Sequence, residues 1–288
     1  MKVRSHICCI LFLFSSLALF PQVSILGADT AQTVTNHFKL ELVSQMTTDV
    51  LNQQMNLKAD TELAYNWQKN GRERTLVLDS LRLKAVLNGN EMVNMFSSRE
   101  KLIVVKQGVT NTILAETAPE NVKNSLQNQY DVPFCKLELD KQGTVVKRLN
   151  LASKEIQPES IDTTIANALL FHPRFDPSAK EWSAATELSM GHGSFAKGTL
   201  HYTRKTKGKP PFVVKVSGLF ENDRVHQFGS PVTIRRARYV VTGEQAYDPK
   251  REEWVSGNLK IDVTNDVEAE EKIVGKASGT IIATFKIQ

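Results

Sequence analysis

The chain has 288 residues, three cysteines and a formal net charge of +5. A chain of this length suffices for one large β domain or two smaller ones, whose core needs no disulfide. Acidic and basic residues are interspersed, so the modest positive charge mainly favours solubility, and beyond the first 28 residues no apolar stretch approaches the roughly 18 needed to cross a bilayer.

The first 28 residues have the pattern of a signal peptide. Lys2 and Arg4 form a positive n-region, Ile7 to Phe20 form an apolar run, and Gly27-Ala28 offers small residues for cleavage. A retained membrane anchor is the alternative, since the cleavage site matches the small-x-small pattern only in part. No Asn-x-Ser/Thr sequon is present, which favours export into a bacterial cell envelope, either to the periplasm or to the exterior.

Residues that alternate between apolar and polar dominate the sequence after position 29. This period of two is typical of strands with one buried face, and turn signals such as Asn70-Gly71 and Asn88-Gly89 separate the runs. We therefore expect a mainly β fold, with a curved antiparallel sheet or a clam-like half-barrel and one or two short helices packed on it. The clearest apolar series are Phe38, Leu40 and Leu42; Leu63, Tyr65 and Trp67; Leu81, Leu83 and Ala85; and Leu259, Ile261 and Val263.

Helical spacing occurs at two places. A short helix is predicted from Pro119 to Asn128. A second is predicted over 160–171, where Ile161, Ile165 and Leu169 share one face. Ser160 can cap this helix and Pro173 ends it, and its apolar stripe is expected to cover the sheet.

The sequence has a weak internal repeat. Leu63-Ala64-Tyr65 precedes Gly71 with the same spacing by which Leu200-His201-Tyr202 precedes Gly208. We interpret the exported part, 29–288, as one β-rich domain with two related halves, 29–157 and 173–288, around the helix at 160–171.

No motif indicates catalysis or a cofactor. In the glycine-rich segment Gly191 to Thr199, Thr199 directly follows Gly198, where a phosphate-binding loop requires a lysine. His192 and Ala196 occupy the glycine positions of a nucleophile elbow. No two histidines after the signal have the helical spacing of a zinc motif, so a metal site is not predicted. We therefore expect a protein that is not an enzyme and has no cofactor.

Three arginines, Arg235, Arg236 and Arg238, form the most basic strand segment. Alternation separates Arg236 and Arg238 from Arg235, which resembles an edge strand protected by charge. The segment lacks the interleaved aromatic residues of a nucleic-acid surface, so nucleic acid is not an expected partner.

Two tryptophans are candidates for contact with a ligand, because an indole combines a large apolar face with one hydrogen-bond donor. They are Trp67 and Trp182, and the candidate cleft also includes Ile161, Ile165 and Leu169 of the predicted helix. Packing in the core is the alternative for the tryptophans.

The order of signal, strand-rich half, the hairpin from Phe134 to Leu149, amphipathic helix, His172-Pro173 and Trp182 resembles a secreted bacterial protein family of unknown function. That family is similar in plan to lipoprotein-carrier-like β proteins. The strongly alternating sheet and the apolar helix expected to cover it favour an exported β protein that holds a lipid or acyl chain, with a lipid, a lipoprotein or an envelope protein as partner. The alternative is a structural or protein-interaction module without a ligand cavity.

Overall fold

The computed structural model of the protein describes residues 34–50, 53–130, 133, 135–139, 145–150, 175–176, 178–189, 195–205, 209–226 and 232–288. The predicted signal peptide and the predicted helix at 160–171 lie outside these residues.

The described residues form fourteen strands and one helix. The strands are β1 Val34–Val50, β2 Gln53–Asn70, β3 Glu73–Leu87, β4 Asn90–Ser98, β5 Lys101–Lys106, β6 Val109–Leu114, β7 Cys135–Leu139, β8 Val145–Asn150, β9 Glu181–Ser189, β10 Phe195–Arg204, β11 Phe212–His226, β12 Val232–Asp248, β13 Glu253–Ala269 and β14 Lys272–Ile287, and the helix α1 is Glu120–Tyr130.

The predicted mainly β fold with an antiparallel sheet and a short helix is confirmed. Every strand pair whose register is known runs antiparallel. Alternation places the apolar residues on one face, as in β13, where Leu259, Ile261 and Val263 are buried while Asn258 and Lys260 are exposed. Helix α1 occupies the place predicted for the first helix and ends two residues later, at Tyr130.

The chain divides into two compact units, and β1, β2 and β14 contribute residues to both. Unit 1 comprises the described residues of 44–57 and 157–283. Its strands follow the hydrogen-bonded order β2-β1-β14-β13-β12-β11-β10-β9. The predicted halves, 29–157 and 173–288, are continuous segments of sequence, whereas these units combine separate segments, so the division into two related halves stays a prediction.

Unit 2 comprises the described residues of 34–43, 58–150 and 284–288. Its strands follow the order β14-β1-β2-β3-β4-β5-β6. Strand β7 pairs with the first residues of β3, whereas β4 pairs with its last residues, and β7 also pairs with β8. Phe38 stacks on Tyr65 with ring centroids 5.4 Å apart, and α1 is held to β4 by a hydrogen bond between the hydroxyls of Tyr130 and Ser97.

The interpretation of the arginine segment as a protected edge is wrong. Strand β12 pairs with β11 on one side and β13 on the other, so it is an interior strand. A β-bulge between Arg235 and Arg238, with Arg236 at φ 46°, interrupts the alternation. Each arginine has a carboxylate partner: Arg235 pairs with Glu268, Arg236 with Asp266 and Arg238 with Glu221.

Candidate functional site

The predicted site residues are distributed as follows. Trp67 lies on β2 in unit 2 and is buried, whereas Trp182 lies on β9 in unit 1 and is half-buried. Ile161, Ile165 and Leu169 lie outside the described residues, so the predicted cleft stays a prediction. Within the described ranges, no group of three or more His, Cys, Asp or Glu side chains could hold a metal ion, and no helix has the length and apolar character of a membrane span.

Trp182 belongs to a group of six aromatic rings in unit 1, here called the aromatic cluster. Strand register assembles it, because Trp182 lies opposite Tyr202, and Tyr247 lies between Phe212 and Trp254. Phe175 precedes β9 and is the sixth member. Side chains directly opposite on neighbouring antiparallel strands point to the same face, so the five strand residues share one side of the sheet.

Phe175 is the centre of the aromatic cluster. Its ring stacks on Tyr247 with centroids 4.0 Å apart and on Phe212 at 6.1 Å. It meets Trp182 edge-on at 5.6 Å and Trp254 edge-on at 6.0 Å. Offset-stacked and edge-on pairs of this kind each stabilise by about 0.5–1.5 kcal/mol beyond the burial of their area.

The aromatic cluster combines buried and accessible rings. Tyr202 and Trp254 are buried, whereas Phe175, Trp182 and Tyr247 are half-buried. Part of the aromatic surface therefore reaches solvent, next to a mainly apolar interior. Such a surface suits an apolar molecule that can slide against the rings.

Two polar side chains lie buried on the same face. Gln245 is 2% exposed, and neither its amide nitrogen nor its amide oxygen has a hydrogen-bond partner among the described residues. The hydroxyl of Tyr202 is buried and equally unpartnered. Each such group costs about 1–3 kcal/mol when it is left unpaired, so their retention calls for an explanation.

The surroundings of Gln245 are apolar. Its strand neighbours in register are Val214 on β11 and Gly257 on β13, and Tyr247 follows it on the same face two residues later. Gly243 lies two residues before it on that face. Glycine contributes no side chain, so neither Gly243 nor Gly257 offers a polar group to the amide.

Electrostatics differ between the two ends of the aromatic cluster. Burial raises the pKa of Tyr202 far above its ordinary value. Burial also raises the pKa of Tyr247 to about 12, with a further contribution from the carboxylates of Glu252, Glu253 and Asp248. Arg204 lies on the face of Tyr202 with its guanidinium carbon 5.8 Å from the ring centroid of Phe212, a cation–π contact.

Sequence reasoning found part of this site. The chemistry of the indole singled out Trp182, but sequence reasoning missed Phe175, which precedes β9 and belongs to no alternating run. It also missed Gln245. A glutamine two residues before Tyr247 lies on the same face of the strand, and this spacing would have indicated a polar side chain beside the aromatic rings. The arrangement offers aromatic and aliphatic contact with a few uncharged polar groups.

No protein-family model matches the chain, and no curated protein matches it. A solved structure of lipovitellin, determined to study lipid–protein interactions, is similar in fold, with a TM-score of 0.51 at 8% identity over 90% of this chain. The matched part is 25% of the lipovitellin chain, so this protein spans about a quarter of that relative. The porin-like match OccK7 (OpdD) of Pseudomonas aeruginosa covers 90% of this chain at 7% identity, but its TM-score of 0.20 supports no conclusion about fold.

Proposed function

We propose that this chain is an exported, non-enzymatic β protein of the bacterial cell envelope that binds the acyl chain of a lipid at the aromatic cluster of unit 1. The observation that carries the proposal is the partly accessible set of rings around Phe175 and Trp182. Burial of apolar surface stabilises a complex by about 25 cal/mol per Å², so an acyl chain on these rings would be bound mainly by the burial of its hydrocarbon surface.

Two further observations support the proposal. The fold is similar to that of lipovitellin, a protein with known lipid–protein interactions. The first 28 residues have the composition of an export signal, which supports the proposed envelope location. The non-enzymatic assignment rests on the lack of a recognisable catalytic motif in the sequence.

Native mass spectrometry of the protein purified gently from its host is the first test. A mass that is lost on denaturation and matches a lipid is the expected result. The delipidated protein should then bind a fluorescent acyl-chain probe, and Trp182→Leu should weaken that binding several-fold because it removes an accessible ring of the aromatic cluster.

Trp67→Leu is the matched control, since it removes an indole from the buried face of unit 2. Loss of probe binding in the Trp67 variant alone would place the site elsewhere. A protein without bound lipid that also ignores added host lipids would contradict the proposal, and a specific envelope partner recovered by crosslinking would then favour an interaction module.

A further inference from the structure

The unpaired polar atoms on the apolar face of unit 1 point to a ligand with oxygen atoms of its own. Gln245 presents one donor group and one acceptor, and Tyr202 presents a hydroxyl, all buried and without partners among the described residues. A purely hydrocarbon ligand would leave these atoms unpaired. A ligand that carries an acceptor and a donor beside its acyl chain would pair them.

Charge argues against an ionised head group. Glu253 and Asp248 are the direct strand neighbours of Trp254 and Tyr247 and alternate to the other face, but their negative charges reach Tyr247 and help to raise its pKa. A carboxylate brought to this end would meet like charges in a poorly solvated place. Arg204 is a cation on this face, and it already has the Phe212 ring and a further interaction as partners.

We propose that Gln245 and Tyr202 recognise the oxygen-bearing linkage of a neutral acyl lipid, with the chemistry of a monoacylglycerol: an ester carbonyl with a neighbouring hydroxyl. The Tyr202 hydroxyl or the Gln245 amide N–H donates to the ester carbonyl, and the Gln245 amide oxygen accepts from the lipid hydroxyl. This inference rests on the proposed function, because it names the lipid class for the same site.

The test compares three probes of similar chain length on the delipidated full-length protein: monooleoylglycerol, oleate and octadecene. Binding is measured by equilibrium dialysis below the concentrations at which the probes aggregate. The wild-type protein should bind monooleoylglycerol most tightly. Gln245→Leu should lower that affinity about tenfold, the factor that corresponds to about 1.4 kcal/mol, and should leave octadecene binding equal or stronger.

Tyr202→Phe provides a second variant that keeps the ring and its stacking on Trp182, whose centroid lies 5.2 Å away. It should lower monooleoylglycerol affinity about threefold to tenfold. Thr242→Val is the matched control, since Thr242 lies on β12 with its side chain exposed on the opposite face. Its affinity for all three probes should equal that of the wild type.

The outcomes separate this inference from the proposed function. Binding of all three probes with equal affinity, unchanged in Gln245→Leu and Tyr202→Phe, would overturn the inference and leave lipid binding intact. Preference for oleate would also overturn it. Failure of every probe, with no lipid in the purified protein, would contradict the proposed function itself.

Discussion

Gly198 on β10 provides the sharpest test of how the sheet of unit 1 is packed. A Cβ atom added at this position would overlap the carbonyl oxygen of Leu219 and lie 2.7 Å from Cδ1 and 2.8 Å from Cγ of Phe220. Carbon atoms in contact normally lie about 3.5–4.0 Å apart. We therefore expect Gly198→Ala to force the ring or the strand to move.

Overpacking of this kind costs about 1–3 kcal/mol. A cost of about 2 kcal/mol would lower Tm by about 5 °C for a protein of this size. Without the close contact the sign would be opposite, because replacing glycine by alanine in a compatible conformation stabilises by about 0.4–1 kcal/mol through the unfolded chain. Thermal unfolding followed by tryptophan fluorescence therefore distinguishes the two cases by sign.

Gly218→Ala is the graded comparison. Its Cβ would lie 2.7 Å from Cδ2 of Leu200, which is the end of a flexible side chain, and 2.8 Å from the carbonyl oxygen of Thr199. The leucine can rotate, so the loss of stability should be smaller than for Gly198→Ala. If Gly198→Ala is as stable as the wild type or more stable, the described packing of Phe220 over Gly198 is wrong.

The other predictions concern one residue in each unit. Phe175→Ala should lower the free energy of unfolding by about 3 kcal/mol and change the fluorescence of Trp182 and Trp254, because it deletes the ring that contacts both indoles. Burial raises the pKa of Tyr130 from 10.0 to about 12. The folded state therefore holds this proton more tightly, and about 3 kcal/mol of stability present below pH 10 should be lost as the pH rises to about 12. Tyr130→Phe should reduce the alkaline loss of stability by this amount, while the buried Tyr202 and Tyr247 keep their own contributions.

Matched variants give each of these measurements a reference. Phe96→Ala removes a ring from unit 2 and should leave the fluorescence of Trp182 and Trp254 unchanged. Ser97→Ala removes the hydrogen-bond partner of Tyr130 and should destabilise at neutral pH by about 1 kcal/mol, while the alkaline transition persists. An alkaline profile that is identical in wild type and Tyr130→Phe would show that this phenol is not buried.

Alternation predicted which residues of a strand point inward, because the pleat has a period of two whatever the partner strand is. The Asn-Gly pairs likewise predicted the hairpin turns, where Gly71 has φ +55° and Gly89 has φ +82°, a conformation that glycine adopts without strain. These are local properties, and the sequence pattern carries them in full.

The sequence pattern did not predict which strands are neighbours or in which register they pair. Nothing in β1 indicates that its neighbours are β2 and β14, the latter more than two hundred residues away. The charges of the arginine segment are typical of an edge strand, and only its pairing with β11 and β13 shows that β12 is interior. The unpaired atoms of Gln245 depend on which neighbours are glycines, and that is known only from the register of β12 with β13.

The sharing of β1, β2 and β14 has a consequence for how the protein can be dissected. Each unit is built from chain segments that are far apart in sequence: unit 1 takes the described residues of 44–57 as well as those of 157–283, and unit 2 takes those of 34–43 and 284–288 as well as those of 58–150. No single cut in the gene yields either unit complete. A fragment that ends near 157 would lack the β14 residues of unit 2, and one that begins there would lack the β1 and β2 residues of unit 1. Isolating either unit therefore requires a rearranged gene that joins the separated segments through new linkers.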